Sequence, residues 1–179
     1  VYYEGYWQAA QYYINCREKL CYAFAHPKPN EYNAKLIKEI TNSSSVGIHV
    51  RRGNYLLSPT YSGICNLEYY KKAIVRIKSD GKQHSFYIFS NDINWCRQNI
   101  VPLLGDSEVL FVTENTGVNS CWDMFLMSYC RDLIMANSSF SWWGAFLNNN
   151  AERVIAPYPW MNGRDTSGIY APEWIKIDC

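Results

Sequence analysis

What this chain lacks sets its frame. Lys and Arg number 17 against 16 Asp and Glu, a formal charge of +1 over 179 residues, so no broad field favours nucleic acid or an anionic membrane and any anion site is local. No run of 18 apolar residues offers a membrane span, and the N-terminus carries no basic leader. There is no Asp-x-Asp motif and no His or carboxylate cluster at metal-ligating spacing, so no metal is expected. The seven cysteines (16, 21, 65, 96, 121, 130 and 179) are odd in number and contain no CxxC pair. Neither a disulfide framework nor a zinc knuckle is indicated, and reduced thiols in a cytosolic setting are the expectation. Internal repeats and low-complexity segments are absent too. The chain opens on Val1 rather than methionine and reads as a piece of something longer.

What is present is a core. At 48% hydrophobic and 16% aromatic residues, this length buries one sizeable domain. Apolar, β-rich runs at 46–50, 86–89, 109–112, 133–136 and 154–156 alternate with helical patterns at 67–78, 94–104, 121–130 and 141–149. The rhythm predicts an α/β fold: a Rossmann-like parallel sheet of about five strands with helices on both faces. Residues 1–45 do not share it. There, 8–24 reads as an aromatic-rich helix, His26-Pro27-Lys28-Pro29-Asn30 breaks it, and 31–40 forms a second helix before a polar stretch. This segment reads as a connector whose aromatics cover one sheet edge or face another domain, with 46–179 as the ligand-binding domain.

Four clusters carry chemistry. His49-Val50-Arg51-Arg52-Gly53 places two guanidiniums on a glycine turn at a strand's carboxyl end, where ligands collect in open α/β sheets. Arginine's planar fork matches phosphate oxygens; the plain alternative is a solvated basic loop. Ser90-Asn91-Asp92 follows the second strand, and Asp92 is placed to hold a ribose hydroxyl, orient an arginine or cap the next helix. Asp123 falls in the first turn of a helix, where the dipole favours a carboxylate with or without a ligand. Asn137 to Ala145 runs from a strand into a helix, so first-turn amides and the Ser139 and Ser141 hydroxyls converge on an anion; an ordinary serine cap with Trp142 and Trp143 in the core is the alternative. Two such strand ends point to a shared diphosphate. Asn42-Ser43-Ser44 and Asn137-Ser138-Ser139 match the glycosylation pattern by chance and are read as unmodified. The proline-aromatic stretch 156–162 is expected to cover the sheet edge, with closure over a bound sugar as the alternative.

Together with Trp95-Cys96-Arg97-Gln98-Asn99-Ile100, Asp123 to Ser128 and Asn137 to Leu147, the HxRRG motif resembles the signature set of the α-1,2-fucosyltransferases, glycosyltransferase family 11, of bacterial type. The opening Gly5-Tyr6-Trp7-Gln8 is similar to a segment preceding the donor domain in bacterial members. The resemblance implies the donor-binding half of a GT-B-type enzyme that moves L-fucose from GDP-fucose to the 2-hydroxyl of a galactose-type acceptor, inverting the anomeric carbon without a metal or other cofactor. By motif, Arg51 meets the β-phosphate and His49 the guanosine or its phosphates, both catalytic. Arg52, Gly53 and Asp92 support them, Asp123 is the guanine-side carboxylate, and Ser139, Phe140 and Ser141 wrap the diphosphate. Members carry an N-terminal acceptor domain, so this chain is expected to lack most of the acceptor surface. Asn54 stands where the motif usually ends in aspartate. His49, Asp92 and Glu68 are candidates to take the acceptor's proton. The implied partners are GDP-fucose and a glycan acceptor, with no nucleic acid and no membrane span. The implied setting is the bacterial cytoplasm, peripheral to the inner membrane, with the Golgi lumen as the alternative. Rival readings are an inactive GDP-sugar-binding fragment, an α-1,6- or O-fucosyltransferase relative, and a carbohydrate-binding module built on Trp142, Trp143, Trp160 and Trp174.

Overall fold

The computed structural model describes every residue except Tyr3, Tyr6, Ile14 and Ala25. Six strands, β1 (Ser45–Val50), β2 (Ser85–Ser90), β3 (Glu108–Val112), β4 (Asp132–Ile134), β5 (Arg153–Tyr158) and β6 (Ile175–Asp178), form one parallel sheet in the order β3-β2-β1-β4-β5-β6. Both faces are covered, which explains why β1 is buried at all six positions. Along the strands, alternate residues enter opposite layers. Phe86, Ile88, Ile134 and Ile155 join one core cluster, while Tyr87, Phe89, Leu133 and Val154 join the other.

Helices α1 (Arg17–Ala23), α2 (Glu31–Thr41), α3 (Leu67–Lys78), α4 (Ile93–Asn99), α5 (Val101–Leu104), α6 (Cys121–Met127) and α7 (Ser139–Phe146), with short 3-10 turns between elements, complete the described architecture. The first face packs residues of α2, α6 and α7, including Leu36, Ile40, Leu126 and Trp142. The second packs α3, α4 and α5 through Tyr69, Tyr70, Ile74, Ile77, Cys96 and Leu104. Caps fix the helix starts: Asn30 accepts from Asn33 N and Asn66 from Tyr69 N, each at 2.9 Å. Tyr69 and Tyr70 lie wholly buried, yet their hydroxyls are satisfied by strand-end carbonyls, Tyr69 donating to Met135 O at 2.6 Å and Tyr70 to His49 O at 3.0 Å.

The structure departs from the sequence reading at several places. A sixth strand, β6, extends the expected five. It is four residues long, with Ile175 and Ile177 packed inward and Lys176 and Asp178 exposed. The 94–104 helix divides at Ile100, because Pro102 has no N–H to give and its ring crowds the preceding turn. The 8–24 helix resolves into a short 3-10 turn, Ala10–Tyr12, followed by α1; Ile14 within it, and Tyr6 of the Gly-Tyr-Trp-Gln segment, lie outside the described residues. The 156–162 stretch covers no edge, since β6 pairs with β5, and Trp160 is 1% exposed in the core instead.

At the amino ends of the strands, Asp132 is fully buried and bonded twice to Arg153 at 2.7 Å; Arg153 also pairs with Asp80 at 2.9 Å, and Asp80 with His84 at 3.0 Å. The chemistry-bearing clusters gather at the opposite, carboxyl ends. All seven cysteines are unpaired. Among the described residues, no helix is long and apolar enough to cross a membrane.

Candidate functional site

The strand order reverses its direction of growth between β1 and β4, and ligands of open α/β sheets bind outside the carboxyl ends at such a point. A cleft of about 450 Å³ opens there. His49 and Arg51 supply one wall from the end of β1, with Phe89, Ser90 and Asn91 beside them from β2. Tyr55, together with Ser120 and Asp123 at the start of α6 and Ser138, Ser139 and Phe140 at the start of α7, completes the lining, with the Phe140 ring centre 5.7 Å from that of His49.

Consecutive residues leaving an extended strand point to opposite sides, and this separates the two arginines. Arg51 lines the cleft, with its Nη2 donating to Asn54 Oδ1 at 3.0 Å and its guanidinium 5.3 Å from the Tyr55 ring centre. Arg52 does not line it. Its Nε donates to Asp92 Oδ2 at 3.0 Å, and its guanidinium lies 4.2 Å over the Trp95 ring. Of the two guanidiniums on the glycine turn, one lines the cleft and the other is tied to Asp92 and Trp95. Asp92 performs two of the tasks foreseen for it, bracing Arg52 and capping α4 by accepting from Trp95 N at 3.1 Å. Gly53, the turn after the arginines, has φ +69°, a left-handed conformation that glycine adopts without strain. Asn91 clamps that turn, accepting from Arg52 N at 2.9 Å and donating to Arg52 O at 3.3 Å.

His49 is only 6% exposed, and its Nδ1 has no hydrogen-bond partner among the described residues. Burial first, and then the Arg51 charge, push its pKa down to about 3, so the imidazole is neutral. Asp123 moves the other way. Burial raises its pKa to about 6, against the opposing hydrogen bond donated by Asn115 Nδ2 at 2.9 Å. Asn115 in turn exchanges two hydrogen bonds with Asn33 of α2, which ties the cleft's acidic wall to the first core layer. Of the three candidate proton acceptors, His49 alone lines the cleft: Asp92 is committed as described, and Glu68 is exposed on α3 beside Lys71 at 3.7 Å.

Ser138 caps α7, accepting from Phe140 N at 3.3 Å, and the first-turn amides of that helix, which lack intrahelical acceptors, include those of Ser139 and Phe140, which line the cleft. Ser139 and Phe140 line the cleft as expected residues of the block. Ser141 does not. It is fully buried, and its hydroxyl donates to Ala136 O at 2.8 Å, so it holds the strand-to-helix turn and cannot wrap a diphosphate. The tryptophans of the carbohydrate-module reading are interior: Trp142 is 0%, Trp160 1% and Trp174 6% exposed, with Trp143 partly buried. That reading requires exposed rings and is overturned.

Sequence reasoning missed Tyr55 and Tyr61, whose rings stack at 4.7 Å and 17° on the loop after the arginine turn, and it missed Asn115. The aromatics so close behind Gly53 were the available signal for the first two; Asn115 had none, because its partners come from distant segments. Among the described residues, no group of three or more His, Cys, Asp or Glu side chains is placed to hold a metal ion.

Comparison with known proteins matches this arrangement to a family. The profile of glycosyl transferase family 11 covers residues 1–178. An α-1,2-colitosyltransferase of Escherichia coli is 35% identical over 97% of this chain and 61% of its own length. The O-antigen biosynthesis glycosyltransferase WbnK of Escherichia coli is 33% identical over 76% of this chain and 45% of its own. Galactoside α-(1,2)-fucosyltransferase 2 of Mus musculus is 30% identical over 75% and 41% respectively. The chain thus spans about three-fifths of the first relative and less than half of the other two. A match that runs from the N-terminal segment through every strand of the sheet, and takes in the arginine turn and the serine block that form the cleft, means that this chain belongs to glycosyl transferase family 11.

Proposed function

We propose that this chain is the donor-binding part of a glycosyltransferase that moves L-fucose from GDP-fucose to the 2-hydroxyl of a galactose-type acceptor, with inversion and without a metal. One observation carries the reading: Arg51 and the first residues of α7 line the same cleft at the switch point of the sheet, and no carboxylate pairs with Arg51 as Asp92 does with Arg52 among the described residues. A diphosphate between them meets a fixed cation on one side and helix amides on the other. Cleavage of the sugar–phosphate bond builds negative charge on the leaving β-phosphate while the sugar becomes cationic. Donors already aimed at that phosphate favour the transition state over the ground state. Neutral His49 lines the cleft with a ring nitrogen that has no partner among the described residues, and Asp123 offers a carboxylate to the donor edge of a guanine. The names of the relatives, which specify α-1,2 linkages and fucose or colitose, support the linkage and the sugar class.

Calorimetric titration with GDP, GDP-fucose and UDP, chelator present, tests it. GDP and GDP-fucose should bind and UDP should not, and Arg51→Ala should weaken GDP by about 100-fold, the worth of a charge-assisted hydrogen-bond pair. Absence of GDP binding by folded protein would overturn the donor reading. Binding without transfer to any galactoside would remove the transferase and leave a binding protein.

A further inference from the structure

Beside the cleft, and joined to it through Tyr55 and Ser139, lies a second pocket of about 190 Å³. None of the residues lining it is charged. Three carboxamides (Gln8, Asn54 and Asn137) and the Ser139 hydroxyl face aromatic and apolar side chains, Tyr61, Trp160 and Met161 among them. Neutral hydrogen-bonding groups set in an aromatic and apolar wall suit one uncharged polyhydroxylated ring, whose hydroxyls take the amides and whose C–H faces take the rings. An ion or a phosphate finds nothing there to compensate its charge.

The carboxamides differ in what they have left to give. Asn54 Oδ1 accepts from Arg51 at 3.0 Å. Asn137 donates to Trp160 O at 3.2 Å and accepts from Cys65 Sγ at 3.3 Å. The Nε2 of Gln8, by contrast, is buried without an acceptor among the described residues. Buried donors are nearly always paired, so one left unpaired calls for an explanation. The backbone that delivers it is held in an uncommon shape: Trp7 has φ +51°, rare for a bulky residue, and its carbonyl accepts from Tyr13 Oη at 2.7 Å.

We infer that this second pocket takes the pyranose ring of a nucleotide sugar whose diphosphate lies on Arg51, and that Gln8 reads the sugar by donating from Nε2 to a ring hydroxyl. Met161 and Trp160 form the side that receives the ring's apolar edge, including the methyl of a 6-deoxy sugar. The inference rests on the donor reading above. It also gives the N-terminal segment a share in the site, beyond that of a connector.

Titration of GDP and GDP-fucose into the unmodified chain and into Gln8→Leu separates the two ideas. The unmodified chain should bind GDP-fucose about tenfold more tightly than GDP, the worth of about one hydrogen bond. Gln8→Leu should keep GDP within about twofold and lose that increment. A chain that binds GDP but gains nothing from fucose would overturn the pocket and leave the donor reading standing; a folded chain that binds neither would remove both. A variant that loses GDP and GDP-fucose equally, or neither, would overturn the role of Gln8. Saturation-transfer NMR on the unmodified chain needs no substitution: the fucose methyl should saturate as strongly as guanine H8, and a silent methyl would sink the pocket.

Discussion

At the scale of single residues, the cleft holds two ionisable groups displaced in opposite directions. His49 binds its proton near pH 3 when folded and near 6.5 when unfolded, so the unfolded chain carries the extra proton between those values. Its contribution to stability is intact above pH 6.5 and is lost as the pH falls toward 3. Asp123 does the reverse: the folded chain holds the extra proton between 3.8 and about 6, so stability is lost as pH rises through that window. His49→Gln should therefore flatten the acid side of the stability profile below pH 6, read by urea unfolding at steps between pH 4 and 7. If Asp123 meets guanine as a carboxylate, GDP affinity should drop about tenfold from pH 7 to pH 5, as the group protonates near pH 6. Asp123→Asn should abolish that drop in the same titration. The residue types of this site were legible in the sequence, and their protonation was not, because burial sets it and burial comes from layers that close only in the fold.

Elements place these residues through short-range devices. Gly53 permits the turn that sends Arg51 one way and Arg52 the other; a Cβ there would sit 3.0 Å from Asn91 Nδ2 in a left-handed conformation. Gly53→Ala should cost about 1–2 kcal/mol of stability and weaken GDP binding by more than that. Thermal unfolding and titration of one preparation compare the two losses. Where α6 crosses α7, Gly144 would bring a Cβ to 3.1 Å from Met127 Cβ and 3.2 Å from Met124 O. Gly144→Ala should cost about 1–3 kcal/mol by overpacking, with Asp123 and Ser139 displaced as the helices part. α3 coincides with its pattern at 67–78 because Asn66 caps it and its buried face is regular. β6 escaped notice because a four-residue edge strand carries little apolar signal, and the end of α4 because Pro102 acts through the turn before it.

Over the whole molecule, the two ends of the sheet divide their labour. The amino ends carry the Asp132–Arg153–Asp80–His84 network, in which Asp132 and His84 are buried, while the carboxyl ends carry the cleft. Asp132→Ala removes two of Arg153's hydrogen bonds but leaves it Asp80 and Ile77 O, and should cost about 1–3 kcal/mol in urea unfolding while leaving the GDP affinity of the folded fraction unchanged. The N-terminal segment is fastened separately: Arg17 donates to Phe146 O at 2.8 Å and Asn148 O at 3.2 Å, and Tyr13 packs on Trp143 and Phe146. The sequence by itself determined the parallel α/β rhythm, most helix starts and the motifs at the strand ends, since each depends on apolar period, caps and turn residues within a few positions. Tertiary structure alone decided that Arg52 braces while Arg51 faces the cleft, that Ser141 turns inward, and that Gln8 stands beside Asn137. Those outcomes depend on which remote carbonyls, carboxylates and rings come within hydrogen-bond reach once the sheet has closed, and no local pattern encodes that distance.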